Sequence, residues 1–217
     1  MLLREVPYRG KKKIARFFED HVEFGGKVVS YRDISILTTS AMTTIHTYGG
    51  IPMGRSFTGG AQFKLNNGKS MRINMGAMTI FGIPILFRSP RKSEKLYPAL
   101  HEALYTVVAR NMAEPLINRI SNGETIDVGG LAINSAQAIK AKAMAREKSK
   151  GKGKESKKNP VINKGNYRES LFVSNSIINV YDKKGDILWH TSVWNNKNTL
   201  LIPHILDAVF GEYDGKE

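Results

Sequence analysis

Two segments of this chain can be laid on one another without a gap: Leu96-Tyr-Pro-Ala-Leu-His-Glu-Ala-Leu-Tyr105 and Leu201-Ile-Pro-His-Ile-Leu-Asp-Ala-Val-Phe210. Three of the ten positions are identical, the proline among them, and five more exchange like for like. Both carry apolar residues at the i, i+3/i+4 spacing of an amphipathic helix. Upstream, Tyr31-Arg32-Asp33 matches Tyr167-Arg168-Glu169, each opening an apolar run, and each half has a glycine-containing hairpin between these markers. Three markers in the same order favour a duplicated unit over a single chance match. The wider spacing in the first half means that it carries longer loops or extra strands.

Between the markers the pattern is that of strands. From Ile14 to Phe24, Ile14, Phe18, Val22 and Phe24 fall on one parity, and Glu19 and Glu23 on the other. Period-two alternation predicts one half-buried antiparallel strand there. Gly25-Gly26 is a turn, and an extended run follows from Val28 to Leu37. Thr38 to Tyr48 is rich in β-branched residues that suit a pleated surface. Gly49 to Gly54 and Gly59-Gly60 read as a flexible loop, with no strand-to-helix transition to make a phosphate cradle. Phe63 to Met75 is a hairpin turned at Asn67-Gly68. The spacing predicts a helix from Ser93 to Arg110 with Pro98 in its first turn, a kink or restart at Pro115, and an end at Ser121-Asn-Gly-Glu124. Strands return over Thr125–Val128, Leu131–Asn134, 161–163, 170–173, 176–181 and 187–194, with a turn at Asp182-Lys-Lys-Gly185. Thr199 to Phe210 closes the chain as a helix with Asn198 as its N-cap. Leu100, Leu104 and Val107 form the expected core of the first half, and Ile205, Val209 and Phe210 that of the second.

Antiparallel strands closed by one C-terminal amphipathic helix resemble the pleckstrin-homology-like (PH-like) superfold. The run Phe18 to Tyr31 before Asp33-Ile34, the Asn122-Gly-Glu124 turn before Val128-Gly-Gly-Leu131, and the Trp189 strand before the Pro203 helix look like those of bacterial proteins of unassigned function with PH-like domains. The resemblance implies an α+β chain of two PH-like units, 1–121 and 122–217, each an antiparallel bent sheet or barrel closed by its helix. Some relatives bind inositol phospholipids through basic residues in the first hairpin loop. Here that loop offers Lys27. Many other PH-like domains bind proteins, and fold alone does not give function.

Charge narrows the partners. The net charge is +14, which raises nucleic acid and anionic membrane as partners. Lys140 to Lys158 carries +7 and Met1 to Arg16 carries +5. The insertion at about 141–160 includes a stretch, Lys148 to Lys158, without an apolar residue, so burial cannot offset its ordering entropy. It reads either as a solvated loop or as a tether to phosphate through Lys150, Lys152, Lys154, Lys157 and Lys158. No aromatic residue is interleaved there, which argues against a single-strand stacking platform. The apolar stretch Ala77 to Phe87 reads as a buried strand or loop, as a membrane-dipping segment in which Ile80, Phe81, Ile83 and Leu86 enter lipid while Arg88, Arg91 and Lys92 meet phosphates, or as a protein-binding patch.

Enzymatic chemistry finds little purchase. There is no cysteine, which excludes thiolate catalysis and cysteine-ligated metal. His21, His46, His101, His190 and His204 lack metal-type spacing, and no order of Ser, His and acid suggests a triad. The expectation is a non-enzymatic binding or scaffolding module without metal or cofactor, located in the cytoplasm or at the inner membrane face. Its partner is a protein or an anionic membrane surface, with nucleic acid as a further alternative. Possible phosphate or lipid contacts are Lys27, Arg88, Arg91, Lys92 and the five lysines of the insertion.

Overall fold

The computed structural model describes residues 1–9, 13–80, 83–86, 90–140, 161–173, 177–194 and 196–211. The chain is α+β, and every sheet among the described residues is antiparallel and open. It divides into two compact units, Met1–Asn111 with Trp194–Asn196, and Met112–Val193 with Lys197–Glu217. The division falls inside a helix, ahead of the boundary after Ser121 that the sequence suggests.

The first unit has two sheets. One is a meander of β1 (Leu2–Arg9), β2 (Lys13–Phe18), β3 (His21–Phe24) and β4 (Lys27–Ser30). Its second hairpin corrects the expected single strand from Ile14 to Phe24. The chain reverses at Glu19-Asp20, so Ala15 and Phe17 face the core before the turn and Val22 and Phe24 after it. A short 3₁₀ turn at Tyr31–Asp33 then interrupts the predicted extended run, and the buried Tyr31 hydroxyl donates to the Phe18 carbonyl at 2.9 Å.

The second sheet is built on a long hairpin of β5 (Ile34–Tyr48) and β6 (Ile51–Leu65). β7 (Ser70–Asn74) pairs with the inner half of β6, and β8 (Ala77–Ile80) with its outer half; β9 (Ile83–Leu86) completes the order. The glycines expected in a flexible loop therefore lie in a strand and its turn. Gly49 and Gly50 have φ of 55° and 80°, the positive pair that a two-residue hairpin requires. Gly60 lies so close to β7 that a Cβ there would sit 2.0 Å from the Ile73 carbonyl oxygen. Trp194 bridges to β5 at Thr39.

A helical run follows: α1 (Pro90–Ala103), a wider π turn (Leu104–Ala109) and α2 (Arg110–Ser121). It starts before the predicted Ser93, which leaves Pro98 in the interior of α1 rather than in its first turn. A proline there removes one hydrogen bond, to the Glu94 carbonyl. Pro98 and Pro115 both lie on the exposed side, where water can satisfy the freed carbonyls, and neither ends the helix. α1 packs on β1, β5, β6 and β8, with Leu100, Leu104 and Val107 buried as the spacing predicts.

The second unit also holds two sheets, β10 (Ile126–Val128), β11 (Leu131–Ile133), β12 (Ala138–Lys140), and β13 (Tyr167–Val173), β14 (Ile177–Asp182), β15 (Ile187–Ser192). Ile162 pairs with Ala138 at the edge of the first. A 3₁₀ turn at Thr199–Leu201 leads into α3 (Ile202–Phe210), which packs on β13. Ile205 and Phe210 are fully buried and Val209 half-buried. Asn198 holds the expected N-cap position of this turn, but in the left-handed region, φ 57°, and its side chain makes no capping hydrogen bond. Tyr167 and Tyr31 are both buried, but Tyr167 begins a strand where Tyr31 begins a 3₁₀ turn.

Candidate anion-binding site

The first unit carries an open cleft of about 190 Å³, lined by Tyr8, Lys13, Phe24, Gly25, Lys27, Arg72 and Asn74. Four chain segments meet there. Tyr8 is the extra residue in a register shift of β1 between Pro7, opposite Ile14, and Arg9, opposite Lys13. Such a bulge re-aims a side chain, and here it leaves Tyr8 buried. Gly25, in the β3–β4 turn with φ 56°, is where the Tyr8 hydroxyl comes close: a Cβ at Gly25 would stand 3.3 Å from it. Phe24 is buried beside Tyr8 in the lining and packs on Phe63, with ring centroids 5.7 Å apart. Two aromatic side chains thus give the cleft a rigid floor.

Over that floor stand three cations from three strands. Lys13 begins β2, Lys27 begins β4, and Arg72 lies in β7; all three are exposed. None of them forms an ion pair among the described residues, and no acid lines the cleft. The Asn74 Oδ1 accepts from the Gly76 N–H at 2.8 Å, so its amide N–H groups remain as donors. The lining therefore supplies ammonium, guanidinium and amide donors with no carboxylate to compete. That is the chemistry of an anion site, and phosphate fits a planar guanidinium fork flanked by point charges. The volume lies below the 300 Å³ or more of a typical drug-sized pocket, which suits one phosphorylated group rather than a whole dinucleotide.

Of the residues singled out in the sequence, the structure places Lys27 here. Arg91 and Lys92 are exposed in the first turn of α1, away from the cleft lining. Arg88 and Lys150, Lys152, Lys154, Lys157 and Lys158 lie outside the described residues. Sequence reasoning does not single out Lys13, Arg72, Asn74 or Tyr8 as site residues. The usable signal is parity: in Met71-Arg-Ile-Asn-Met75, period two puts Arg72 and Asn74 on one face while Ile73 and Met75 are buried.

Elsewhere several polar groups are paired structurally. The Arg55 guanidinium donates to both Glu94 carboxylate oxygens at 2.7 and 2.8 Å, and Thr43 donates to the same carboxylate. Partial desolvation pushes the Glu94 pKa up, but these partners outweigh it and hold the group below its ordinary value. Tyr167 donates to Asp207, whose pKa is nevertheless raised by burial. Burial also pushes His101 down to about 4, so it is neutral at physiological pH. Among the described residues no group of three or more His, Cys, Asp or Glu could hold a metal ion, and no helix is long and apolar enough to cross a membrane. Comparison with protein-family models, curated proteins and solved structures yields no match.

Proposed function

We propose that the protein is a non-enzymatic binding module of two PH-like units whose first unit takes a phosphorylated, polyanionic group in the cleft between Lys27, Lys13 and Arg72. The observation that carries the reading is the convergence of three cations, without ion-pair partners among the described residues, on a buried aromatic floor with no acid in the lining. Support for the PH-like part is that each unit places two antiparallel sheets ahead of a helix. The ligand chemistry is a phosphomonoester or polyphosphate, either free in solution or on a lipid headgroup.

Titration calorimetry of the full chain with an inositol polyphosphate, with inorganic phosphate, and with vesicles displaying a phosphoinositide separates these sources. A hydrogen bond to a charged group contributes about 1.5–3 kcal/mol. Arg72→Gln should therefore weaken inositol polyphosphate binding about tenfold or more, and Lys13→Gln or Lys27→Gln somewhat less. All three positions are exposed, so thermal midpoints should hold. Binding unchanged in the triple variant would overturn the assignment.

A further inference from the structure

From Ile34 to Ser93 the chain contains seven Lys or Arg and not one Asp or Glu. At the overall frequency of 19 acids in 217 residues, a stretch of that length would hold about five. This acid-free stretch spans the whole second sheet of the first unit, β5 to β9. The outer end of that sheet is also its most apolar exposed part. Beyond Ala41, both faces of β5 are at least partly exposed. Met42, Ile45, Tyr48 and Ile51 are 62%, 59%, 79% and 67% exposed, and Ile83, at the end of the neighbouring β8–β9 hairpin, is 67% exposed.

The pairing brings these residues to one end. Tyr48 and Ile51 face each other across the Gly49-Gly50 turn. Ile83 pairs with Ile80, which pairs with Gly54. Two interstrand steps and three residues of β6 separate Ile83 from Ile51, about 10 Å in each direction. Behind the tips stands a basic collar. Glu94 is tied to Arg55 and Thr43, whereas Tyr97, one turn later, packs on Phe57. The N-terminus of α1 therefore points toward the tips and carries the exposed Arg91 and Lys92 there. Arg55 precedes the tip by four residues of strand, about 13 Å. Glu94, the carboxylate that the described contacts place at this end, is ion-paired with Arg55 and also feels the charge of Arg91, so the net charge there stays positive.

We infer that this double-hairpin end inserts into the surface of an anionic bilayer, with Tyr48, Ile51 and Ile83 in the headgroup–acyl boundary and Arg91 and Lys92 against lipid phosphates. An apolar element backed by cations enters the interface by about 5–10 Å, less than the roughly 13 Å from tip to collar, so the tips can enter while the cations stay at the level of the phosphates. Tyr is a residue that settles at that level. Charge selects the occupant: an acid-free surface complements lipid phosphate, and each cation near such a membrane adds attraction that salt screens. This surface is separate from the cleft, since Ile51 is nine residue steps of β6, about 30 Å of strand, from Gly60, the partner of Asn74 in β7.

The chain's lack of cysteine allows a direct test on the whole 217-residue chain. Tyr48→Cys and Lys69→Cys, at opposite ends of the sheet, are each labelled with a polarity-sensitive fluorophore. Each is then mixed with vesicles of phosphatidylcholine alone or with about 30% phosphatidylserine. The expected result is a blue shift for the label at position 48 on anionic vesicles only, and none at position 69. In vesicle flotation, the double variant Tyr48→Ser/Ile51→Ser should bind at least about tenfold more weakly than the parent, with unchanged circular dichroism and unchanged binding of inositol polyphosphate in solution. That last arm separates this inference from the cleft. Equal flotation of parent and double variant would overturn it, because other cations would then carry the binding. So would absence of parent flotation on anionic vesicles. A parent dimer that the double variant converts to monomer would overturn it too, giving the surface to a second copy of the chain.

Discussion

Lowering the pH from 7.5 to 5 should cost the first unit about 2 kcal/mol of stability through one side chain, His101. The imidazole is 4% exposed in the packed face of α1, 6.1 Å from the Tyr97 ring, and burial lowers its pKa from 6.5 to about 4. The folded value lies below the unfolded one. Between them the unfolded chain takes up a proton that the folded chain refuses, so stability falls as pH drops through 6.5, and the loss levels off near pH 4. Each tenfold loss of proton affinity on folding is equivalent to about 1.4 kcal/mol, so the full effect is roughly 3 kcal/mol, of which about 2 is reached by pH 5.

Trp194 and Trp189 are the only tryptophans, and Trp194 belongs to the first unit. In a Trp189→Phe background, urea unfolding followed by Trp194 fluorescence therefore reports that unit. Asp207, raised by burial, titrates with the opposite sign but lies in the second unit. His101→Leu should flatten the dependence between pH 7.5 and 5 while leaving the neutral-pH stability close to the parent's. An imidazole resonance of His101 titrating above pH 6, or the same acid loss in the Leu variant, would refute the reasoning.

Two further substitutions test the packing. Leu100 is fully buried between α1 and the sheets, so Leu100→Ala should destabilise by about 2–5 kcal/mol in urea unfolding; a loss under about 1 kcal/mol would contradict the burial. Gly60→Ala would drive a methyl into the Ile73 carbonyl, and the forced β6–β7 separation should cost about 1–3 kcal/mol, with faster amide exchange at Ile73 as the local reporter.

Much of the fold is legible in the residues, and the misses have physical causes. The apolar spacing of Leu100, Leu104 and Val107 locates the core face of the helix because side-chain burial follows that period. The helix start is misplaced because a proline at position 98 suits a first turn by propensity, and propensity cannot see that Pro98 lies on the exposed side of α1, where an interior proline is tolerated. Alternation from Ile14 to Phe24 reads straight through a turn: the half-buried Ile14 and Phe18 make one parity seem to continue into Val22 and Phe24, whereas the buried parity changes from Ala15 and Phe17 to Val22 and Phe24 across a reversal that carries neither Gly nor Pro. Gly59-Gly60 looks like a loop because glycine marks both loops and places where backbones approach closely, and only the neighbouring β7 distinguishes them. The cleft is half visible. Lys27 stands out from its hairpin, but Arg72 needs the fold to bring β7 beside the β3–β4 turn.

The charge map misleads in a more instructive way. Counting where positive charge is dense assigns +12 of the +14 to the N-terminal and 140–158 segments, and leaves the rest of the chain nearly neutral. That remainder is +2 only because Ile34 to Ser93 at +7 is offset by an excess of acids elsewhere. An anion responds to charges within roughly one Debye length, about 8 Å at physiological salt, not to the sum over a sequence. A cation with no carboxylate inside that radius, such as Arg72 in the cleft lining, keeps its full attraction, whereas a paired one such as Arg55 offers little and Arg91 shares the field of Glu94. Depletion of acids is therefore as informative as enrichment of bases. The cleft at Arg72 and the apolar tips backed by Arg91 and Lys92 both belong to the one acid-free stretch, at two ends of the same strand β6. Placing a single carboxylate in it, by Thr79→Asp or Asn74→Asp, should weaken anion binding at the nearer surface and leave the other unchanged.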